Sequence, residues 1–348
     1  MSSAIRKRVA FAAAGVAAAL LFSACSTSGS GASGAGTQTI RLVANNPSAF
    51  LTDFYIAQEK GMLAKHHVKI DFVYSQNPEA VLVSGKADLV YQPVLASLLA
   101  ISQGLALKAV STVQVNTYPI LLANKTVPSL ADLQSMTSCR IATTASGNSA
   151  YGYATYWIKL LKLHCALAIA ASGDVMVAGA VSGAYQAAVT PPQYGPQTAP
   201  QGTHVLVNPL NVASDGTVSV NRGYISKYAL PNAITTALCG QSSYVSANSQ
   251  AIKNLLAALD EAQTARKSMS SADIAKILAE ANPGAFGPST ISSADLATSI
   301  EYGISSVVEQ PITTNLWNSS LKSYSYYGST AYKASNPAYA YDKVVVNI

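Results

Sequence analysis

Apolar and polar positions alternate over residues 39–44 (TIRLVA) and 68–74 (VKIDFVY), the period-two pattern of half-buried strands. Between them, residues 53–63 (DFYIAQEKGML) follow a helical period that closes near Gly61, and residues 77–84 return to helix. A short strand at 88–91, an apolar helix at 93–103 with Pro93 in its first turn, and a strand at 105–113 complete a first unit. A second unit repeats the scheme with helix 130–134, strand 140–143, long helix 151–163, strand 166–170, helix 175–181 and strands at 187–189 and 205–207. Beyond about residue 226 the pattern becomes helical, at 249–267, 272–281 and 294–308, before a turn-rich and Tyr-rich end. Strands separated by single helices predict mostly parallel sheets with helices on both faces. Two such units with a helical return predict an α/β protein of two lobes with a cleft between them.

Composition changes the picture mainly at the N-terminus. The chain of 348 residues has 22 Lys+Arg against 16 Asp+Glu, a net charge of +6, and 49% hydrophobic residues. Arg6, Lys7 and Arg8 precede an apolar run at 9–22, followed by Ser23-Ala24-Cys25 and a Gly/Ser/Ala/Thr-rich stretch. A basic start, an apolar core too short to span a bilayer and small residues at the cut describe a secretory signal. The Cys after the small pair resembles a bacterial lipoprotein signal in which Cys25 carries the lipid, although Phe22 stands where Leu is commonest. Removing residues 1–24 takes away three bases and no acids and leaves 19 bases against 16 acids. With no basic cluster left to follow a phosphate backbone, a nucleic-acid partner is not expected. Past Cys25 no apolar run is long enough to span a membrane, and Ala, at 58 residues, accounts for much of the oiliness.

Export also sets the chemistry of the remaining cysteines. In an oxidising compartment Cys139 and Cys165 are expected to pair, since each lies beside a predicted strand and one helix separates them, leaving Cys239 over. There is no CxxC motif, and His66, His67, His164 and His204 do not fall at zinc spacings, so neither a metal nor a cofactor is expected. GxSxG and HExxH are absent as well, which argues against an enzyme.

The order of segments carries a resemblance. YIAQEKGMLAKHHVKIDFVY (55–74), VSGKADLVYQ (83–92), QGLALK (103–108), SLADLQSMTSCRIAT (129–143), the loop ASGNS (145–149), VSGAYQAA (181–188) and the helix at 244–262 stand in sequence. Together they resemble the periplasmic substrate-binding proteins of the alkanesulfonate, taurine, nitrate and thiamine-pyrimidine group. The resemblance covers roughly residues 39–265. It implies a type II periplasmic-binding-protein fold and a monomeric, extracytoplasmic protein. Such a protein captures a small solute between its lobes and delivers it to an ABC permease and its ATPase. The expected organisation is signal peptide 1–24, tether 25–38, first part of lobe 1 at 39–122, lobe 2 at 123–222 and a return to lobe 1 at 223–348. The chain is expected to cross between lobes near 120–128 and 212–225. Two other readings are an enzyme on the same fold, of thiamine-pyrimidine or quinone-pathway type, and a lipid-anchored receptor without transport. The Cys-rich run of the thiamine-pyrimidine enzymes is absent.

In open α/β sheets a ligand lies outside the carboxyl ends of the strands, where loops and helix N-termini offer backbone N–H groups. The candidate ligand residues are Asn45, Asn46, Ser48, Gln92, Pro93, Thr117, Tyr118, Ser146, Gly147, Asn148, Ser149, Thr190 and Tyr194, with Arg222 the nearest later base. Apart from Arg222 none is charged, which favours a neutral or zwitterionic organic solute, with a sulfonate-like anion second. Tyr118, Tyr151 or Tyr194 could wall a flat ring. Gln186 replaces the family's usual Asp, and Thr190-Pro191-Pro192 stands where Glu-Pro is common. Both are expected at the inner edge of the second lobe, with consequences for specificity.

Overall fold

The computed structural model of the protein describes residues 36–115, 119–144, 148–171, 173–190, 194–212, 218–221, 223, 233–283, 307–325 and 332–348. The first unit runs β1 (Gln38–Ala44), α1 (Thr52–Glu59), α2 (Met62–Lys65), β2 (Val68–Tyr74), α3 (Pro78–Val83), β3 (Leu89–Pro93), α4 (Val94–Ser102) and β4 (Leu107–Val115). The second runs β5 (Ile120–Ala123), α5 (Leu130–Ser135), β6 (Cys139–Thr143), α6 (Ser149–Leu160), β7 (Cys165–Ile169), α7 (Gly173–Ser182), β8 (Ala187–Thr190), α8 (Tyr194–Thr198) and β9 (His204–Val207). A hairpin, β10 (Leu210–Val212) and β11 (Val218–Val220), precedes β12 (Ile234–Gln241), the helices Ser249–Arg266 and Ser271–Ala281, β13 (Val307–Gln310) and the helix Thr314–Tyr324.

These strands form a sheet of order β13-β4-β12-β3-β1-β2 and a second of order β7-β6-β8-β5-β9. Helices connect β1, β2 and β3 in the first and β6, β7 and β8 in the second, and within each set the pairing is parallel. The two-lobed α/β architecture read from the sequence is therefore present, with a refinement. β12 runs antiparallel to β3 and β4, and β5 antiparallel to β8 and β9. β5 follows β4 of the first sheet, and β12 comes after the strands of the second sheet and the β10–β11 hairpin. A strand entered from the cleft starts at the edge where its parallel neighbours end, so it must run against them.

Two segments differ from the sequence reading for a shared reason. Ile120–Ala123, expected in the crossover and at the end of the first lobe, is paired on both sides within the second sheet. β12 falls where the pattern was read as helical. All four residues of the first are buried, and in β12 only Thr235 and Gln241 are half-buried, so neither strand alternates. A strand covered on both faces loses the period that marks a half-buried one. The helix expected at 294–308 lies largely outside the described residues, and Val307 and Val308 belong to β13.

One apolar cluster continues through both sheets, from Leu95 and Leu98 through Leu121, Ile141, Trp157 and Val189 to Trp317 and Leu321. A second fills the other face of the first sheet with Phe54, Ile56, Leu255, Leu259, Ile274 and Leu278. Within that layer Asp53 is fully buried, and Arg266 Nε donates to its Oδ1 at 2.6 Å while Nη2 reaches Oδ2 at 3.3 Å. Gly61 takes a left-handed φ of 71° between α1 and α2, dividing the run read as one helix. Cys139 and Cys165 are register partners on β6 and β7 and form the disulfide expected from the sequence, with Cα atoms 4.3 Å apart. Among the described residues no helix is long and apolar enough to cross a membrane.

Candidate functional site

The loop after β1 is built from side chains that satisfy its own turns. Ser48 Oγ accepts from Phe50 N at 3.2 Å and caps the short turn Ala49–Leu51, while Asn46 Nδ2 donates to the Pro47 carbonyl at 3.0 Å. Asn45 and Ser48 are half-buried and Asn46 is exposed. Gln92, the penultimate residue of β3, is different. It is 1% exposed, its Nε2 donates to Ser97 Oγ at 2.7 Å and to Glu79 Oε1 at 3.4 Å, and its Oε1 has no partner among the described residues. A buried amide oxygen without a donor is costly, on the order of 1–3 kcal/mol. Glu79 comes from the first turn of α3, and burial pushes its carboxyl above the ordinary range, an effect opposed by the Gln92 hydrogen bond.

The second sheet shows the same feature. Thr143 and Thr190 are fully buried, Thr144 follows β6 directly, and none of the three hydroxyls has a hydrogen-bond partner among the described residues. Ala142 pairs with Ala188 in the parallel β6–β8 register, which brings Thr144 alongside Thr190 at the carboxyl ends of both strands. Asn148 occupies the N-cap position of α6 in an extended conformation. Tyr194 packs on Ile120, Leu122 and Val177, and its hydroxyl lies beside the start of α7, 3.6 Å from where a Cβ on Gly173 would sit.

A concavity of about 330 Å³, open mouth included, is lined by Pro93 and Leu95 of the first sheet's layer, Ser149 and Tyr153 of α6, Ala233, Ile234 and Thr235 at the start of β12, and Tyr324. Its enclosed part has room for about one water molecule. Of the residues expected from the sequence, Pro93 and Ser149 thus meet across it. Gln92, Asn148, Thr190 and Tyr194 stand at neighbouring strand and helix ends, and Asn45, Asn46 and Ser48 form the β1 loop. Cys25, Thr117, Tyr118, Ser146, Gly147 and Arg222 lie outside the described residues. Sequence reasoning missed Glu79, Thr143, Thr144, Tyr153, Ile234 and Tyr324. Tyr153 stands one turn beyond Ser149 on the same helix face, a signal that was available; the approach of Ile234 and Tyr324 had none. Tyr324 donates to the Ile234 carbonyl, and Ile234 N donates to Ser320 Oγ at 2.9 Å, so one helix holds both backbone polar groups of the residue that opens β12.

One expectation is corrected. Gln186 precedes β8, at the end opposite Thr190, and is a structural residue. Its Oε1 accepts from Arg140 N at 2.8 Å and its own N–H donates to the Arg140 carbonyl at 3.1 Å. The first lobe repeats this pattern with Asp88, which accepts from Arg41 N at 2.8 Å and also holds the Arg41 guanidinium at 2.6 and 3.0 Å. A neutral Gln cannot form that ion pair, and the Arg140 guanidinium lies over the Tyr185 ring at 5.0 Å instead. Cys239 is also structural. It is 2% exposed, Ser97 Oγ donates to its sulfur at 3.6 Å, and burial pushes its thiol up to about 11. Thiol reagents should therefore modify Cys239 only after unfolding, as read by mass spectrometry of its peptide; labelling in the native protein would contradict this burial.

Residues 49–157 match the family model described as NMT1/THI5 like. Three solved structures are similar over 89–90% of the chain. The alkanesulfonate-binding protein of Xanthomonas axonopodis pv. citri bound to MOPS is 16% identical, with a TM-score of 0.66 over 90% of this chain and 100% of that one. The fold is that of periplasmic binding proteins. The resemblance read from the sequence is borne out by these matches. The ligand-binding component of an ABC-type import system from Staphylococcus aureus, with zinc bound, is 13% identical, with a TM-score of 0.66 over 89% of this chain and 97% of that one. The nitrate-binding protein of Synechocystis PCC 6803 is 17% identical, with a TM-score of 0.63 over 89% of this chain and 86% of that one. Among curated proteins none matches the sequence. Within this binding-protein fold, no group of three His, Cys, Asp or Glu side chains comes together among the described residues.

Proposed function

We infer that the protein is an extracytoplasmic solute-binding lipoprotein that captures a small organic solute between its lobes and delivers it to an ABC permease. The observation that carries this reading is the set of buried polar atoms without partners among the described residues, at the carboxyl ends of strands in both sheets: Gln92 Oε1 on one side, Thr144 and Thr190 Oγ1 on the other. Native proteins rarely leave such groups unmet, and a ligand that hydrogen-bonds to them from both lobes would favour the closed arrangement. Of the structurally similar proteins, one is an alkanesulfonate-binding protein bound to MOPS and another a nitrate-binding protein, and this supports a solute-binding role here. The concavity is lined by apolar, aromatic and hydroxyl side chains with no charge, which favours a neutral or zwitterionic solute over a bare anion.

Thermal unfolding of the full-length protein, followed by tryptophan fluorescence in the presence of amino acids, pyrimidines, aromatic carboxylates and sulfonates, tests this. A ligand that binds only the folded state should raise the midpoint, by about 2.7 kcal/mol of stability at a hundredfold excess over Kd. If no class shifts the midpoint while one is turned over, the enzyme reading takes its place. The lipid anchor is tested separately: Cys25→Ser should move the protein from the membrane fraction to the soluble one, and retention in the membrane would contradict lipidation.

A further inference from the structure

We propose that Glu79 and Gln92 form an acceptor pole on the first lobe that selects a solute with an N–H donor end, an ammonium or an amino group, whose acidic or polar end points to the second lobe. This rests on the solute-binding reading above and narrows it to a class.

The topology fixes where the two residues stand. A helix that follows a parallel strand starts at that strand's carboxyl edge, so Glu79, in the first turn of α3, and Gln92, near the end of β3, share the edge that faces the cleft. Pro93, the next residue along β3, lines the concavity. The donors there are already spent. Gln92 Nε2 serves Ser97 and Glu79 together, at 2.7 and 3.4 Å, and Oε1 is left with nothing to accept from. A carboxylate has capacity for about four hydrogen bonds, and Glu79 has one long one and no ion pair among the described residues. An acid in a helix's first turn needs only solvent and the helix dipole; this one is half-buried against a fully buried amide. The edge therefore presents a surplus of acceptors and a negative charge without a counter-charge. A sulfonate or carboxylate would meet repulsion at that pole. An ammonium or amino group would supply the donors that both oxygens lack.

The opposite side has the complementary character. The N-terminus of α6 at Asn148 and Ser149 and that of α7 at Gly173, together with the Thr144 and Thr190 hydroxyls, can donate to an acidic or polar end. A dipolar molecule spanning the cleft would satisfy both poles, whereas an anion of the same shape would satisfy one.

The test compares matched pairs differing only at the amino group: taurine and isethionate, β-alanine and propionate, phenylalanine and 3-phenylpropionate, each titrated against the full-length chain by thermal unfolding and calorimetry. The expected result is that the amino member of at least one pair raises the midpoint while its partner does not. Glu79→Gln, which keeps the shape and removes the charge, should weaken that binding about tenfold or more without moving the ligand-free midpoint. Glu79→Asp should retain part of it. Equal response to both members of every responding pair, or undiminished binding by Glu79→Gln, overturns the proposal and leaves the solute-binding reading in place. Response to the deaminated members alone does the same. No response to any of the six compounds, with none to the wider panel, removes the solute-binding reading and this proposal with it.

Discussion

Replacing Arg266 by Met should destabilise the protein by about 3–5 kcal/mol, because it leaves the carboxylate of Asp53 buried without its cation. Asp53 has no exposed surface, and both of its oxygens are held by the Arg266 guanidinium. The pair joins α1 to the helix Ser249–Arg266, so the loss should appear as a lower urea midpoint for the whole cooperative transition. The comparison that isolates the cause is the double variant Asp53→Leu/Arg266→Met. Replacing a buried ion pair by apolar groups of similar size is often neutral or stabilising by about 1–4 kcal/mol, so the double variant should recover most or all of the loss. The effect also has a pH dependence of definite sign. Burial raises the Asp53 carboxyl above its ordinary value even with Arg266 present to oppose it. Without Arg266 the folded variant binds a proton that the unfolded chain releases above about pH 3.9. Its deficit is then largest at neutral pH and shrinks as pH falls toward that value. A deficit independent of pH, or a double variant as unstable as the single one, would show that lost packing and not the buried charge is responsible.

Removing the Cys139–Cys165 bridge is the second large effect. The two residues are 26 apart in sequence. Closing a loop of that size restricts the unfolded chain by roughly 3 kcal/mol. Cys139→Ser/Cys165→Ser, or the wild type in reductant, should unfold at a correspondingly lower denaturant concentration. The bridge ties the first residues of β6 and β7, at the end of the second sheet away from Thr144 and Thr190. A solute that stabilises the wild type should therefore stabilise the reduced protein by a similar increment. Loss of the solute response on reduction would instead mean that the bridge sets the geometry of the carboxyl edge. Because the restriction acts on the unfolded state, the folded protein's near-ultraviolet circular dichroism should change little.

Legibility in the sequence follows the physics of burial. Strands with one wet face alternate, and β1 and β2 were readable residue by residue. Helices with one apolar face and a Pro or Asn start, such as α3 and α4, were readable too. β5 and β12 are covered on both faces, so their apolar runs carry no period and no indication of which sheet they join. The same limit applies to the site. Gln92, Thr190 and Ser149 could be chosen because they end strands or begin helices. Glu79 was passed over because an acid in the first turn of a helix reads as an ordinary solvated end, and only the folded sheet brings it within reach of Gln92. Gln186 erred in the other direction: a departure from a familiar motif suggested specificity, whereas the fold uses the residue to close a turn against Arg140.

Readable from the residues alone were the alternation of elements, the two-lobed α/β class, the pairing of Cys139 with Cys165 and the family likeness. Each is written in local periodicity or in short segments whose order along the chain carries the signal. Folding in three dimensions set the reversal of β5 and β12, the convergence of Pro93, Ser149, Ile234 and Tyr324 on one concavity, and the lack of a partner for Gln92 Oε1, Thr144 and Thr190 among the described residues. Those depend on which distant segments become neighbours and on the water they exclude, and a one-dimensional pattern does not encode either.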